Sequence, residues 1–143
     1  MKMSYEFLDH ISDIGVRVKS TLLESAFEES AFALLHIIFG KDRLENLESR
    51  GEIGNISISG IDREALLINF LNEILYLIDA KKIYPSGIRV KITDENNLSL
   101  KFDKNYFDLE NHPINLYVKA VTYHQLKIVS EKDAVQIEYF VDI

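Results

Sequence analysis

No cysteine occurs among the 143 residues, which excludes disulfides, thiolate zinc sites, iron–sulfur clusters and cysteine nucleophiles. Nothing marks an oxidising compartment, and the cytoplasm is the expected location. Cations are in short supply as well. Against 23 Asp and Glu there are 16 Lys and Arg, a formal charge of −7. A surface built to neutralise many phosphates needs Lys and Arg, so direct nucleic-acid binding is not expected, and a protein partner or a metal suits this balance better. Long apolar runs are also missing. The most apolar stretch, residues 65–78, is interrupted by Asn69, Asn72 and Glu73. It falls short of the roughly 20 apolar residues that cross a bilayer, so no membrane partner is expected. The first residues lack a cationic stretch followed by an apolar run, so they do not read as a signal peptide and the fold is expected to begin with them.

What is present is periodicity. Tyr5 to Leu8 is a short candidate strand, and Ile14, Val16 and Val18 alternate with Arg17 and Lys19 as a second. Thr21 and Glu24 have the spacing of a capping box. Behind it Leu23, Ala26, Phe27, Ala31, Leu34, Leu35 and Ile38 recur at helical spacing until Gly40, with Glu24, Glu28 and Glu29 expected on the wet side. Residues 41–51 are charged and aperiodic, hence a solvated loop. Ile56 to Ser59 alternates as a strand, Asp62 can cap a second helix running to about Lys81, and Ile61 with Leu66 fits a hydrophobic staple. Pro85 and Gly87 are expected to end that segment. Ile88, Val90 and Ile92, a turn at Asn96-Asn97, then Leu98, Leu100 and Phe102 predict a β-hairpin. Residues 103–115 read as a long, aperiodic loop, 116–129 as an imperfect strand, and Val135, Ile137, Tyr139 and Val141 as a final one. This order predicts one α+β domain over residues 1–143. Its two main helices pack on one face of a largely antiparallel or mixed β-sheet.

Chemistry-bearing signatures are sparse. Asp9, His10, Ser12 and Asp13 crowd one turn, but no glycine-framed nucleophile elbow accompanies them, and turn residues that satisfy backbone amides account for the cluster. His10, His36, His112 and His124 show neither HxH nor HExxH spacing, which gives zinc little support, and His36 reads as helix packing or a C-terminal dipole partner. Neither GxGxxG nor GxxxxGK occurs, so no phosphate loop is encoded. Tyr84, Arg89, Tyr117, Lys119 and Tyr123 could form an RNA platform, yet in so acidic a chain strand packing explains them better. Asp142 and the carboxylate of Ile143 lie side by side, with Asp142 pointing away from the core face of its strand. If Asp13 occupies the same end of the sheet, three oxygen anions converge and suit a hard divalent cation such as Ca²⁺, Mg²⁺ or Mn²⁺ in preference to Zn²⁺. Solvated, frayed termini are the competing explanation.

Asp9-His10-Ile11-Ser12-Asp13-Ile14-Gly15-Val16, the helix from Leu66 to Leu77, Val118-Lys119-Ala120-Val121-Thr122-Tyr123-His124 and the closing Val141-Asp142-Ile143 are four motifs in register. Together they resemble the archease family. The resemblance implies an accessory protein of an RtcB-type RNA ligase, which joins tRNA exon halves. Such a ligase first takes GMP from GTP onto a histidine, and the archease promotes this step and repeated turnover. It also implies that Asp13, Asp142 and the Ile143 carboxylate bind the metal and that Lys119 takes part in activation. His10 and His124 match the motifs without an assignable step. Two other functions compete: a general chaperone or modulator of RNA-processing proteins, and a metal-dependent phosphohydrolase using Asp13 and Asp142. For the latter no general base is evident.

Overall fold

The computed structural model describes residues 4–9, 13–41 and 44–143. The elements run β1 (Ser4–Asp9), β2 (Asp13–Ser20), α1 (Leu23–Phe39), β3 (Glu48–Ser59), α2 (Arg63–Asp79), β4 (Ile83–Asp94), β5 (Asn97–Tyr106), β6 (Ala120–Glu131) and β7 (Ala134–Asp142). The α+β class, the two main helices and the antiparallel pairing agree with the periodicity. The strands, however, divide between two sheets, β1-β2-β7-β6 and β3-β5-β4. Alternation specifies which face of a strand is buried but not which strand it joins. Each helix touches strands of both sheets, and the apolar interior lies among these four bodies.

Strand parity places the core as expected. Val16 and Val18 of β2 sit opposite Tyr139 and Ile137 of β7, and all four are fully buried. Phe27 of α1 meets Phe70 of α2 with ring centroids 5.7 Å apart, joining the helices at their most apolar positions. Each such side chain contributes about 1.5–3 kcal/mol through its removal from water. Tyr139 also donates from its hydroxyl to the Ser30 carbonyl at 2.7 Å, so its polar end is satisfied inside the core.

Several local expectations are corrected by tertiary contacts. The capping box does not form: Leu22 is the N-cap of α1 and makes no side-chain hydrogen bond. Glu24 instead accepts from the Ile92 amide at 2.7 Å and Glu28 from the Val90 amide at 2.8 Å. These two carboxylates, expected on the wet side, satisfy amides on the edge strand β4 that would otherwise invite another strand. Asp62 does cap α2, accepting from the Ala65 amide at 2.8 Å, but Ile61 is 90% exposed and forms no staple. That helix ends at Asp79, short of Lys81.

The irregular strands are the others that sequence periodicity misplaces. β3 begins at Glu48, inside the expected loop, because a register shift between Ser49 and Ile53 breaks its alternation. Pro85 and Gly87 lie within β4 and do not precede it. An edge strand tolerates a missing N–H, and Gly87 supplies φ of 56° where the register shifts between Ser86 and Arg89. β5 extends to Tyr106 and β6 begins only at Ala120, so the loop expected at residues 103–115 lies at 107–119 and the strand expected from 116 starts four residues later. Among the described residues, no helix is long and apolar enough to cross a membrane.

Candidate functional site

The register of the four-stranded sheet brings together residues far apart in sequence. Asp13 is the Cα partner of Asp142 across β2 and β7, and Asp142 is in turn the partner of Ala120 across β7 and β6. One row across three strands thus holds both predicted carboxylates, with Ile143 the next residue after Asp142. Residues directly opposite in antiparallel strands have Cβ atoms about 4.5–5.5 Å apart, and like charges in that relation repel. A cation between them turns the repulsion into attraction, and an all-oxygen donor set suits Ca²⁺, Mg²⁺ or Mn²⁺.

The rows behind this one show which face it occupies. Gly15 lies opposite Phe140, whose ring covers it so closely that a Cβ on Gly15 would stand 2.5 Å from the ring. One row further, Arg17 bridges two carboxylates, with Nη1 at 2.8 Å from Glu6 and Nε at 3.4 Å from Glu138. The hydrogen bond to Glu6 and the ion pair with Glu138 raise the guanidinium pKa above its ordinary value. Residues of the same parity share a face. Asp13 and Asp142 therefore belong to this outer face, opposite the core.

Polar clamps from outside the sheet support the strand that completes the row. Asn72 of α2 accepts from the Val121 amide at 3.2 Å and donates to the Val121 carbonyl at 3.3 Å, so its amide group does the work of a neighbouring strand at this edge. The Lys119 amide donates to the Asp142 carbonyl at 2.8 Å, while Lys119 itself is exposed. The loop before it is anchored to α1, because the amides of Asn115 and Leu116 both donate to the Ile38 carbonyl. Buried His112 fixes the same loop: its Nδ1 accepts from the Asp108 amide, so Nε2 carries the proton and donates to the Glu45 carbonyl at 2.6 Å. Sequence reasoning missed Asn72 and His112. For Asn72 the available signal was a polar residue interrupting an otherwise apolar helix.

The remaining candidates scatter. His36 packs edge-on against Phe7 at 5.0 Å and shares a hydrogen bond between Nδ1 and the Tyr5 hydroxyl, as its helix position suggests. His124 is exposed with its ring 6.1 Å from Phe140, on the outer side of the sheet. Tyr84 packs against Phe39 at 5.2 Å, whereas Tyr117 and Tyr123 are exposed, so the aromatic residues do not build one platform. His10 and Ser12 lie outside the described residues. Among the described residues, no group of three His, Cys, Asp or Glu side chains is gathered to hold a metal. The arrangement that is present pairs two side-chain carboxylates beside residue 143.

The family model described as the Archease protein family (MTH1598/TM1083) matches residues 5–143. The chain belongs to the archease family. The Pyrococcus furiosus protein archease is 38% identical over 87% of both chains. The Sulfurisphaera tokodaii protein archease is 33% identical over 97% of this chain and 98% of its own. Among solved structures, Methanobacterium thermoautotrophicum protein 1598 shares the fold with a TM-score of 0.74 and 24% identity, covering 97% of this chain and 98% of its own. A Thermotoga maritima archease, described as a possible chaperone, superposes with a TM-score of 0.64 and 21% identity over 95% and 94%. In this archease two of the four resembling segments, the one entering β2 and the one closing β7, meet at the Asp13–Asp142 row. A third leads into β6, and the fourth, on α2, clamps β6 through Asn72.

Proposed function

We propose that this archease is an activator of an RtcB-type RNA ligase, promoting transfer of GMP from GTP onto the ligase and its repeated turnover in tRNA splicing, without performing the transfer itself. The observation that carries the reading is the register pairing of Asp13 with Asp142 at one end of a rigid sheet. Asp13, Asp142 and the carboxylate of Ile143 would hold a divalent cation, Ca²⁺ first and Mg²⁺ or Mn²⁺ next. The ion would supply positive charge that balances the carboxylates and can be presented to a partner. Lys119 adds an exposed cation on the residue whose amide is tied to Asp142. A ligase mouth that accepts RNA and GTP is expected to be basic, and a protein of charge −7 is drawn to it. The cytoplasm, where such a ligase works, is the proposed location.

Two measurements test the reading. Calorimetric titration of Ca²⁺ or Mn²⁺ should show binding that Asp13→Asn and Asp142→Asn each weaken, and that a short extension after Ile143 weakens without unfolding the protein. Multiple-turnover ligation by a cognate ligase should be stimulated by substoichiometric wild type and not by folded Asp142→Asn. Equal stimulation by that variant would defeat the proposal. A second reading, a general chaperone, is favoured by the description of the Thermotoga relative. It predicts protection of unrelated RNA-processing enzymes from aggregation, with no preference for the ligase.

A further inference from the structure

The outer face of the three-stranded sheet departs from the acidic character of the chain. Three cations, Arg89 and Lys91 of β4 and Lys101 of β5, line one shallow depression there, with the neutral side chains of Asn55, Thr93 and Ser99 between them. Lys101 is the Cα partner of Arg89, and Lys91 that of Ser99, so the cations occupy two successive rows of the same face, with the Val90–Leu100 row between them. Among the described residues, Asp103 is the carboxylate that forms an ion pair with the group, at 3.8 Å from Arg89, and both are half exposed. No ion pair of Lys91 or Lys101 occurs among the described residues. The contrast with the other sheet is direct, because there Arg17 is held by Glu6 and Glu138. The carboxylates that approach the same strand from α1, Glu24 and Glu28, are engaged by the amides of Ile92 and Val90.

We infer that this face binds the phosphodiester backbone of a single-stranded nucleic acid. Three cations on two successive same-face rows, two of them without an ion pair among the described residues, complement a line of phosphates. Hydroxyl and amide side chains are the groups that commonly donate to phosphate oxygens. No aromatic residue lines the depression, so bases would not stack on it and the contact would be independent of sequence. The affinity is that of a local patch on a repelling whole, in the micromolar range or weaker and confined to low salt. This inference stands apart from the metal reading, since it involves the other sheet and no residue of the Asp13–Asp142 row.

Fluorescence anisotropy with labelled 20-nucleotide oligouridylate and oligothymidylate at low ionic strength tests it, the two probes separating RNA from DNA as the source of the backbone. Wild type is expected to bind one or both, with the logarithm of affinity falling by about 2 per decade of salt, as three phosphate contacts on a single strand predict. The Lys91→Gln/Lys101→Gln protein should bind at least fivefold more weakly, with a salt slope shallower by about 1.4. Lys19→Gln/Lys127→Gln removes the same two charges from the other sheet and should leave binding within twofold of wild type. Matching unfolding midpoints for all three proteins establish that each is folded. Equal weakening by the two double variants would reduce the effect to net charge and overturn the inference. So would absence of binding at low salt, or competition by decaglutamate as effective as that by unlabelled oligonucleotide.

Discussion

Replacing Asn72 with alanine isolates the clamp on β6, the strand that follows Lys119 and adjoins Asp142. The side chain makes two hydrogen bonds to the backbone of Val121, a residue only 3% exposed, and among the described residues no strand pairs with β6 on this side. Each bond is worth about 0.5–1.5 kcal/mol net, so their loss costs about 1–3 kcal/mol. Alanine recovers up to about 0.7 kcal/mol through its better helix propensity. The balance is a destabilisation of about 0.3–2.3 kcal/mol, which at about 3 °C per kcal/mol for a chain of this length lowers Tm by about 1–8 °C. Urea unfolding gives the global figure, and hydrogen exchange locates it: protection of the Val121 and Lys119 amides should fall before that of the β2–β7 ladder. Asn72→Asp keeps an acceptor for the amide but loses the donor for the carbonyl, so it should not restore wild-type stability. Stability of Asn72→Ala within about 0.3 kcal/mol of wild type, with unchanged protection at Val121, would refute the argument that this side chain stands in for a strand.

Other perturbations address the remaining supports. Gly15→Ala forces the Phe140 ring from its seat and should cost about 1–3 kcal/mol as overpacking, read from the same unfolding curves. Tyr139→Phe removes the bond to the Ser30 carbonyl and should cost about 1 kcal/mol, with a larger loss implying that the hydroxyl also positions α1. Burial raises the Glu28 carboxyl above its ordinary range, opposed by the Val90 amide and reinforced by Glu24. Its contribution to stability is therefore fully present below the unfolded carboxylate pKa and lost as pH rises through the raised folded value. Glu28→Gln, which can still accept from Val90, should raise stability at pH 7 relative to wild type and give no gain in acid; equal gains at both would show that charge is not the cause.

How much of this was legible in the sequence follows from what each signal measures. Alternation in β2 and β7 and helical spacing in α1 and α2 report burial of side chains, and these placed the core correctly. Partner choice leaves no such mark. Asp13 and Asp142 lie at opposite ends of the chain, and only their Cα register makes them neighbours. Thr21 and Glu24 matched a local capping pattern, but Glu24 has a better use 68 residues away on the Ile92 amide. Ile61 matched a staple and is left in solvent. In β3 and β4 the bulges at Ser49–Ile53 and Ser86–Arg89 shift the alternation by inserted residues, so polar, Gly- and Pro-containing edge strands read as loops. The cationic face is half legible, since alternation with Ile88, Val90 and Ile92 puts Arg89 and Lys91 on one face, while Lys101 joins them through hairpin register.

The division of labour among the surfaces explains where a partner can act. The helices cover the inner faces of both sheets and satisfy their vulnerable edges, with Glu24 and Glu28 on β4 and Asn72 on β6. On the four-stranded sheet, Phe140 over Gly15 and Arg17 between Glu6 and Glu138 tie successive rows into a stiff platform. A carboxylate pair at the end of such a platform is held in position by the ladder itself, which a loop could not do to the same tolerance. Charge and position can then be separated by experiment. Asp142→Asn alters the charge and leaves the ladder intact, so it should weaken cation binding and remove ligase stimulation together. Asn72→Ala leaves both carboxylates in place but loosens the β6 edge, so it should preserve cation binding at saturating metal while reducing stimulation. If Asn72→Ala left stimulation unchanged, the precision of the β6 edge would have no part in activation and the carboxylate row alone would account for it.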